Sequence, residues 1–223
     1  MRNQINPWGV TDPPSLVIFD LDGTLVNSLE DLTCSVNFMR KEFGLGPLMP
    51  EDVRRAVGKG ARSLVVRTMP ENDARIDEAL ALFLEHNGSI LADHSRLYPN
   101  ARELLSALKH SGIPLVLVSN KNTAHCVLLL SLLGIVEYFQ VVIGGDAVES
   151  CKPSPEPLLE AISRAGARAE TTVMIGDSIN DFEAATGAGV RSIGCMFGYG
   201  ESWELERADV RIDALDNLFP LPW

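Results

Sequence analysis

An α/β fold, with a parallel sheet covered by helices on both faces and an inserted all-helical domain, is what this sequence predicts. Short apolar runs recur along the chain, and helical patterns separate most of them. The insertion shows as a break in that rhythm. Roughly ninety residues separate the first apolar run from the second, where a parallel crossover needs only about a dozen. At 223 residues the chain holds one full domain plus a smaller insert, and its 46% hydrophobic content provides for a buried core.

The first strand is Leu16-Val17-Ile18-Phe19, and it runs straight into Asp20-Leu21-Asp22-Gly23-Thr24. Alternation along a strand would put Asp20 and Asp22 on one side, crowded at its end. Two such carboxylates repel unless a cation or a shared proton relieves them. Gly23 supplies the freedom for a sharp exit, and Thr24 adds a hydroxyl and a backbone N–H.

The insertion follows. Leu29, Leu32, Val36, Met39 and Phe43 recur at three- and four-residue spacing, an amphipathic helix, and further helical patterns cover 51–57, 61–69 and 74–92. Residues 27–97 are therefore expected to form a helical domain, with 1–26 and 98–223 forming the core and Pro99 marking the return.

Beyond it the alternation resumes. A helix marked by Leu104, Leu105 and Leu108 ends near Gly112 and precedes a strand over 114–118. Val127, Leu130 and Leu133 mark the next helix, stopped by Gly134, and a strand follows at Val141–Ile143. A third helix starts with Ser154 as N-cap and Pro155 at N1, passing Leu158 and Ile162 to Gly166. Strands at 172–175 and Arg191–Cys195 complete the pattern.

The net charge of -11 excludes a nucleic-acid backbone or an anionic membrane as partner, since both need clustered Lys and Arg. An anionic substrate would need local cations or a bound metal. Cys34, Cys126, Cys151 and Cys195 show no paired zinc spacing and are expected to be reduced and mostly buried, which favours the cytoplasm. Residues 1–15 lack the apolar stretch of a signal peptide, and no run approaches a membrane span. His86, His94, His110 and His125 show no metal spacing and are expected in structural roles.

The chemistry sits at the strand ends. The strand over 114–118 ends in Ser119-Asn120, the segment after the third reaches Cys151-Lys152-Pro153, and the fourth ends in Gly176-Asp177-Ser178 with Asp181 four residues on. Ligands of open parallel sheets bind outside the carboxyl ends of the strands. Three carboxylates, a hydroxyl and one lysine should converge there, with Asp181 close by. Singly, Ser119 reads as a turn residue, Lys152 as a solvated lysine, and Asp177 and Asp181 as acids favoured at a helix N-terminus. Together they suit phosphoryl transfer: a carboxylate attacks phosphorus, a second group protonates the leaving oxygen, and a divalent ion offsets the charge. Oxygen ligands without Cys or His indicate magnesium rather than zinc.

In these motifs the chain resembles the haloacid dehalogenase superfamily hydrolases with a helical cap, and most of all their phosphoglycolate phosphatase group. The matching segments are Asp20-Leu21-Asp22-Gly23-Thr24-Leu25, Ser119-Asn120-Lys121, Lys152-Pro153 and Gly176-Asp177-Ser178-Ile179-Asn180-Asp181. Gly144-Gly145-Asp146 and Phe197-Gly198-Tyr199-Gly200 also resemble that group, and the similarity covers about residues 15 to 217.

The resemblance implies a Rossmann-like parallel sheet core with an all-helical cap, and a Mg2+-dependent phosphatase of a small phosphorylated metabolite. Asp20 would be the nucleophile forming an aspartyl-phosphate, and Asp22 the general acid and then base. Asp20, the backbone carbonyl of Asp22 and Asp177 would hold Mg2+, with Asp181 assisting. Ser119 would hydrogen-bond the phosphoryl oxygens, Lys152 would offset their charge, and Thr24 and Asn120 would meet the substrate. Asp22 sets the chain apart from the dehalogenase and phosphonatase branches, which lack an acid there. Asn27, where many relatives carry Asp, lies at the hinge into the cap and bears on its movement rather than on chemistry.

Val57-Gly58-Lys59-Gly60-Ala61-Arg62 resembles a glycine loop that selects the leaving group in that family, or else is a plain helix–helix turn. In the first reading Gly58 and Gly60 let the backbone approach the substrate, and Lys59 or Arg62 meets a carboxylate. The expected reaction is phosphomonoester hydrolysis, with 2-phosphoglycolate as one candidate substrate, by a monomer or homodimer. A phosphoglucomutase-like transferase, a pyrophosphatase or a nucleotidase shares the core, and a non-catalytic binding protein is disfavoured because Asp20, Asp22 and Lys152 are all retained.

Overall fold

The computed structural model describes residue 8 and residues 12–221. The signal-peptide expectation for 1–15 therefore falls mostly outside the described residues. In chain order, β1 (Leu16–Phe19) and β2 (Val26–Asn27) precede four helices: α1 (Leu29–Glu42), α2 (Pro50–Arg54), α3 (Gly60–Thr68) and α4 (Ile76–Ser89). β3 (Arg96–Leu97) returns antiparallel to β2, pairing Asn27 with Arg96. There follow α5 (Ala101–His110), β4 (Leu115–Val118), α6 (Thr123–Leu132), β5 (Val141–Ile143) and α7 (Glu156–Ala165). The chain then runs through β6 (Thr172–Gly176), α8 (Ile179–Ala188), β7 (Arg191–Cys195), α9 (Ser202–Leu205) and β8 (Val210–Ile212).

Six strands form one parallel sheet in the order β5-β4-β1-β6-β7-β8. Period-two alternation divides the core cleanly. Val17 and Phe19 face the cluster built with Leu104, Leu108 and Leu129, while Leu16 and Ile18 face the one built with Leu158, Ala161 and Ala185. All four β1 side chains are buried, as expected of a strand covered on both faces. The helical insertion has its own core, in which Leu32, Val36 and Met39 of α1 meet Val53, Leu64, Val65 and Phe83. No helix among the described residues is long and apolar enough to cross a membrane.

The sequence pattern missed β8, which pairs Val210 with Ile193 at the sheet edge, because Arg211 interrupts the apolar run that marks the other three-residue strand, Val141–Ile143. It also set the start of α7 too early: the helix begins at Glu156, and the Ser154 hydroxyl accepts from the Glu156 N–H at 3.3 Å. Of the four cysteines, all unpaired, Cys126 and Cys195 are buried but Cys34 and Cys151 are exposed.

Candidate active site

β1 lies between β4 and β6, so the residue that follows it emerges at the middle of the sheet's carboxyl edge. That residue is Asp20, whose backbone N–H continues the ladder to the Ile175 carbonyl at 2.9 Å. Lys152 reaches it from the loop before α7. Its ammonium donates to Asp20 Oδ1, Asp181 Oδ1 and the Val118 carbonyl, each at 2.7 Å. Those three bonds use all three donors of the lysine. The Lys152 side chain is 2% exposed, so its charge is not screened by water.

Asp177, one residue past β6, is held by Thr24 Oγ1 at 3.3 Å and by the Tyr199 N–H at 2.5 Å. Asp181 sits in the first turn of α8, where its Oδ2 accepts from the Ser178 N–H at 3.1 Å and hydroxyl at 3.0 Å, a capping box. Carboxylate oxygens of Asp20, Asp177 and Asp181 lie within 4.8 Å of one another, and all three residues are buried. Burial, only partly opposed by Lys152, pushes Asp20 up to about 7. Burial and then the charge of Asp20 hold Asp177 well above the usual carboxylate range. One ammonium cannot balance three such carboxylates. The donor set is all oxygen, close-packed and over-charged, which fits a hard divalent cation such as Mg2+.

The crowding expected between Asp20 and Asp22 is found instead among Asp20, Asp177 and Asp181. The strand ends at Phe19, and the next residues fold into a turn in which Leu25 and Val26 N–H both reach the Leu21 carbonyl at 3.0 Å. Strand alternation therefore stops before Asp22. Its carboxylate turns to Ser28 Oγ at 2.5 Å and to Lys121 Nζ at 3.0 and 3.2 Å. Gly23 makes this turn possible: its φ is +91°, and a Cβ there would collide with Asp177 Oδ2.

Lys121 is a second cation at the strand ends, where the sequence reading placed Lys152 alone. Its N–H donates to Ser119 Oγ at 3.3 Å, and its carbonyl accepts from Gly145 N–H at 2.9 Å. The signal was present in Ser119-Asn120-Lys121, but spacing alone does not tell which way a loop lysine points.

A cavity of about 390 Å³ opens above these groups, bounded by Asp20, Asp22, Ser119, Lys121, Lys152, Asp177 and Asp181 on the sheet side. From the insertion, Val57, Gly58, Lys59, Gly60, Leu64 and Phe83 close it. The glycine loop is docked: the Gly58 carbonyl accepts from Asn120 Nδ2 at 2.8 Å and Asn180 Nδ2 at 3.3 Å. Gly60, at φ +80°, passes so close to the Asn120 carbonyl that a Cβ would lie 3.0 Å from it. The two glycines thus bring the backbone of the loop between α2 and α3 against sheet-side residues that border the cavity.

Two expectations need correction. Arg62 does not line the cavity; it pairs with Asp77 at 2.7 Å on the exposed side of α3. Thr24 is fully buried and spends its hydroxyl on Asp177, so it supports that carboxylate rather than facing the cavity. His125, expected to be surface or partly buried, is half-buried at the cavity wall, and burial followed by the charge of Lys121 holds it below the usual histidine range. The sequence reading also missed how Tyr199 joins the site to the start of the helical insertion. Its hydroxyl accepts from Ser28 N–H at 2.7 Å and donates to Asn27 Oδ1 at 3.3 Å, while its N–H holds Asp177.

Comparison with known proteins identifies the arrangement. Residues 17–195 match the model of the family described as haloacid dehalogenase-like hydrolase. The chain belongs to this family. It is 38% identical over 211 residues to a phosphoglycolate phosphatase of Chromobacterium violaceum, covering 92% of this chain and 95% of that one. A phosphoglycolate phosphatase of Agrobacterium fabrum is 39% identical over 213 residues, covering 92% and 91%. Among solved structures, a predicted phosphoglycolate phosphatase from Haemophilus somnus superposes with a TM-score of 0.85 at 33% identity, covering 90% of this chain and 94% of that one. Within the family, this chain is an enzyme of the phosphatase type, with its acid cluster at the carboxyl edge of the sheet.

Proposed function

We propose that the protein is a Mg2+-dependent phosphatase of a small phosphomonoester, with 2-phosphoglycolate the first candidate, acting through an aspartyl-phosphate on Asp20. The carrying observation is the position of Asp20, at the centre of the sheet edge and bonded through Oδ1 to a buried lysine. Among the described residues no protein group donates to its Oδ2, which leaves that oxygen free to attack phosphorus. Asp22, held by Ser28 and Lys121 at the cavity wall, protonates the leaving oxygen and then takes a proton from the attacking water. Ser119 binds the phosphoryl oxygens, and Lys152 offsets their charge together with that of Asp20.

Asp20, Asp177 and the backbone carbonyl of Asp22 would hold Mg2+, with Asp181 at its margin. When bound, the ion neutralises charge shared by nucleophile and phosphoryl group. Residues 27–97 act as the cap: Gly58 and Lys59 border the leaving-group side, and the docked loop excludes water. Four unpaired cysteines suit a reducing compartment, and on that ground we place the enzyme in the cytoplasm.

The test is a screen of phosphorylated metabolites with Mg2+ and with chelator, combined with rapid quench using phosphorus-labelled substrate. The expected result is metal-dependent phosphate release, with 2-phosphoglycolate among the best esters, and a labelled protein that Asp20→Asn does not form. Failure to release phosphate from any ester with Mg2+ present would sink the reading.

A further inference from the structure

We propose that Lys121 selects the leaving group from the core side, donating through Nζ to an anion carried on the alcohol next to the ester oxygen. This rests on the phosphatase reading above and adds a core residue to the cap's glycine loop as a determinant of specificity.

The cations around the cavity differ in what they have left to give. Lys152 spends its three donors on Asp20, Asp181 and the Val118 carbonyl. Arg54 is tied to Glu51, Glu201 and the Tyr199 carbonyl. Arg62 is outside, on Asp77. Among the described residues on the sheet side of the cavity, Lys121 is the cation with unspent capacity, since both bonds of its ammonium go to the one carboxylate of Asp22; Lys59 borders the cavity from the insertion. Its side chain is 10% exposed, so an added acceptor meets a charge that is nearly desolvated.

Its position fixes what it reads. Asp22 must come within about 3 Å of the leaving oxygen to protonate it. Lys121 Nζ is 3.0 Å from that same carboxylate. The ammonium is therefore within about 6 Å of the ester oxygen by that hydrogen-bond reach. A carboxylate on the carbon bonded to the ester oxygen falls in this zone, and so does a nearby second phosphate. An alcohol bearing only a methyl group there offers Lys121 nothing. The lysine is also held in place from its backbone, through Ser119 Oγ and Gly145 N–H, so it need not be ordered by the substrate.

The experiment compares 2-phosphoglycolate with ethyl phosphate, in which a methyl replaces the carboxylate, on wild type, Lys121→Gln and Lys121→Arg with Mg2+ present. The readout is the ratio of kcat/KM for the two esters. Loss of one charge-assisted hydrogen bond predicts that Lys121→Gln lowers this ratio by about ten- to a hundredfold, mostly through KM for the acid ester. Lys121→Arg keeps the charge and should recover part of the ratio, which also covers the case that the glutamine variant folds poorly. Equal losses on both esters would overturn the proposal, because the lysine would then act through Asp22 alone. An unchanged ratio, or a wild type with no preference for the acid ester, overturns it too while leaving the phosphatase reading intact. A wild type that hydrolyses neither ester nor any other phosphate monoester removes both.

Discussion

Lys152 Nζ lies 2.7 Å from Asp181 Oδ1, the same distance as from Asp20 Oδ1, so the lysine is shared evenly between a helix-capping acid and the acid at the sheet's centre. Asp181 thereby aims the ammonium that steadies Asp20. Its other oxygen is fixed by Ser178, which stops it from following the lysine elsewhere.

Asp181→Asn keeps the shape but removes one charge-assisted partner. Bonds of this kind contribute about 1.5–3 kcal/mol, so kcat is expected to fall by roughly ten- to a hundredfold with the fold retained. Steady-state kinetics beside a circular-dichroism melt checks it. An unaltered kcat would show that Lys152 keeps its place without Asp181.

Asp20→Asn should abolish turnover and stabilise the protein in chelator, the more so as pH rises. The sign follows from linkage. Asp20 titrates near 3.8 when unfolded and at about 7 when folded, because burial outweighs Lys152. The folded state therefore binds the proton more tightly, and the cost of ionising Asp20 is absent below pH 3.8 and complete above about 7. The gain in melting temperature of the variant over wild type should thus be larger at pH 7.5 than at pH 4.5. A gain that shrinks as pH rises would contradict it.

Chelation should eliminate activity and Mg2+ restore it, and Asp177→Ala should raise the Mg2+ requirement sharply. Three buried carboxylates with oxygens within 4.8 Å face one shared ammonium, and a dianionic phosphoryl group adds to the repulsion. Ca2+ should bind yet support turnover poorly, since its looser, higher coordination can engage both oxygens of Asp20. Titrating activity against free Mg2+ decides this. Full activity after exhaustive metal removal is the adverse result.

Lys59→Ala and Arg62→Ala should separate. Lys59 borders the cavity, so its loss should change the preference among phosphate esters more than hydrolysis of an aryl phosphate, whose good leaving group needs little help. Arg62 is 64% exposed and paired to Asp77, a surface contact contributing about 0–1 kcal/mol, so its loss should leave that preference alone. Kinetic profiles over a panel of esters distinguish the two, and a profile shifted by Arg62→Ala would return that residue to the site.

The strands with unbroken apolar runs were legible because burial on both faces writes a continuous hydrophobic stretch, as in Leu16–Phe19 and Leu115–Val118. Asp20, Asp177 and Lys152 were legible because each follows a strand or its loop and the parallel sheet gathers such ends. What failed depended on loop conformation. The side chain of Asp22 departs from strand alternation after a turn closed by Leu21, and Lys121 turns inward while Arg62 turns outward from similarly polar segments. Tyr199 and Ser28 meet across 171 positions, a contact no local period announces.

The grip of Asn120 and Asn180 on the Gly58 carbonyl has a bearing on how this enzyme can change. The atom being held is main chain, common to every residue type, and the atoms holding it belong to the sheet side. Residues beside Gly58 can therefore be exchanged without loosening the grip, so long as the two glycines keep their backbone shape. Substrate preference and closure are thus separately mutable: new side chains around the cavity can be tried by evolution, or at the bench, against an unchanging latch.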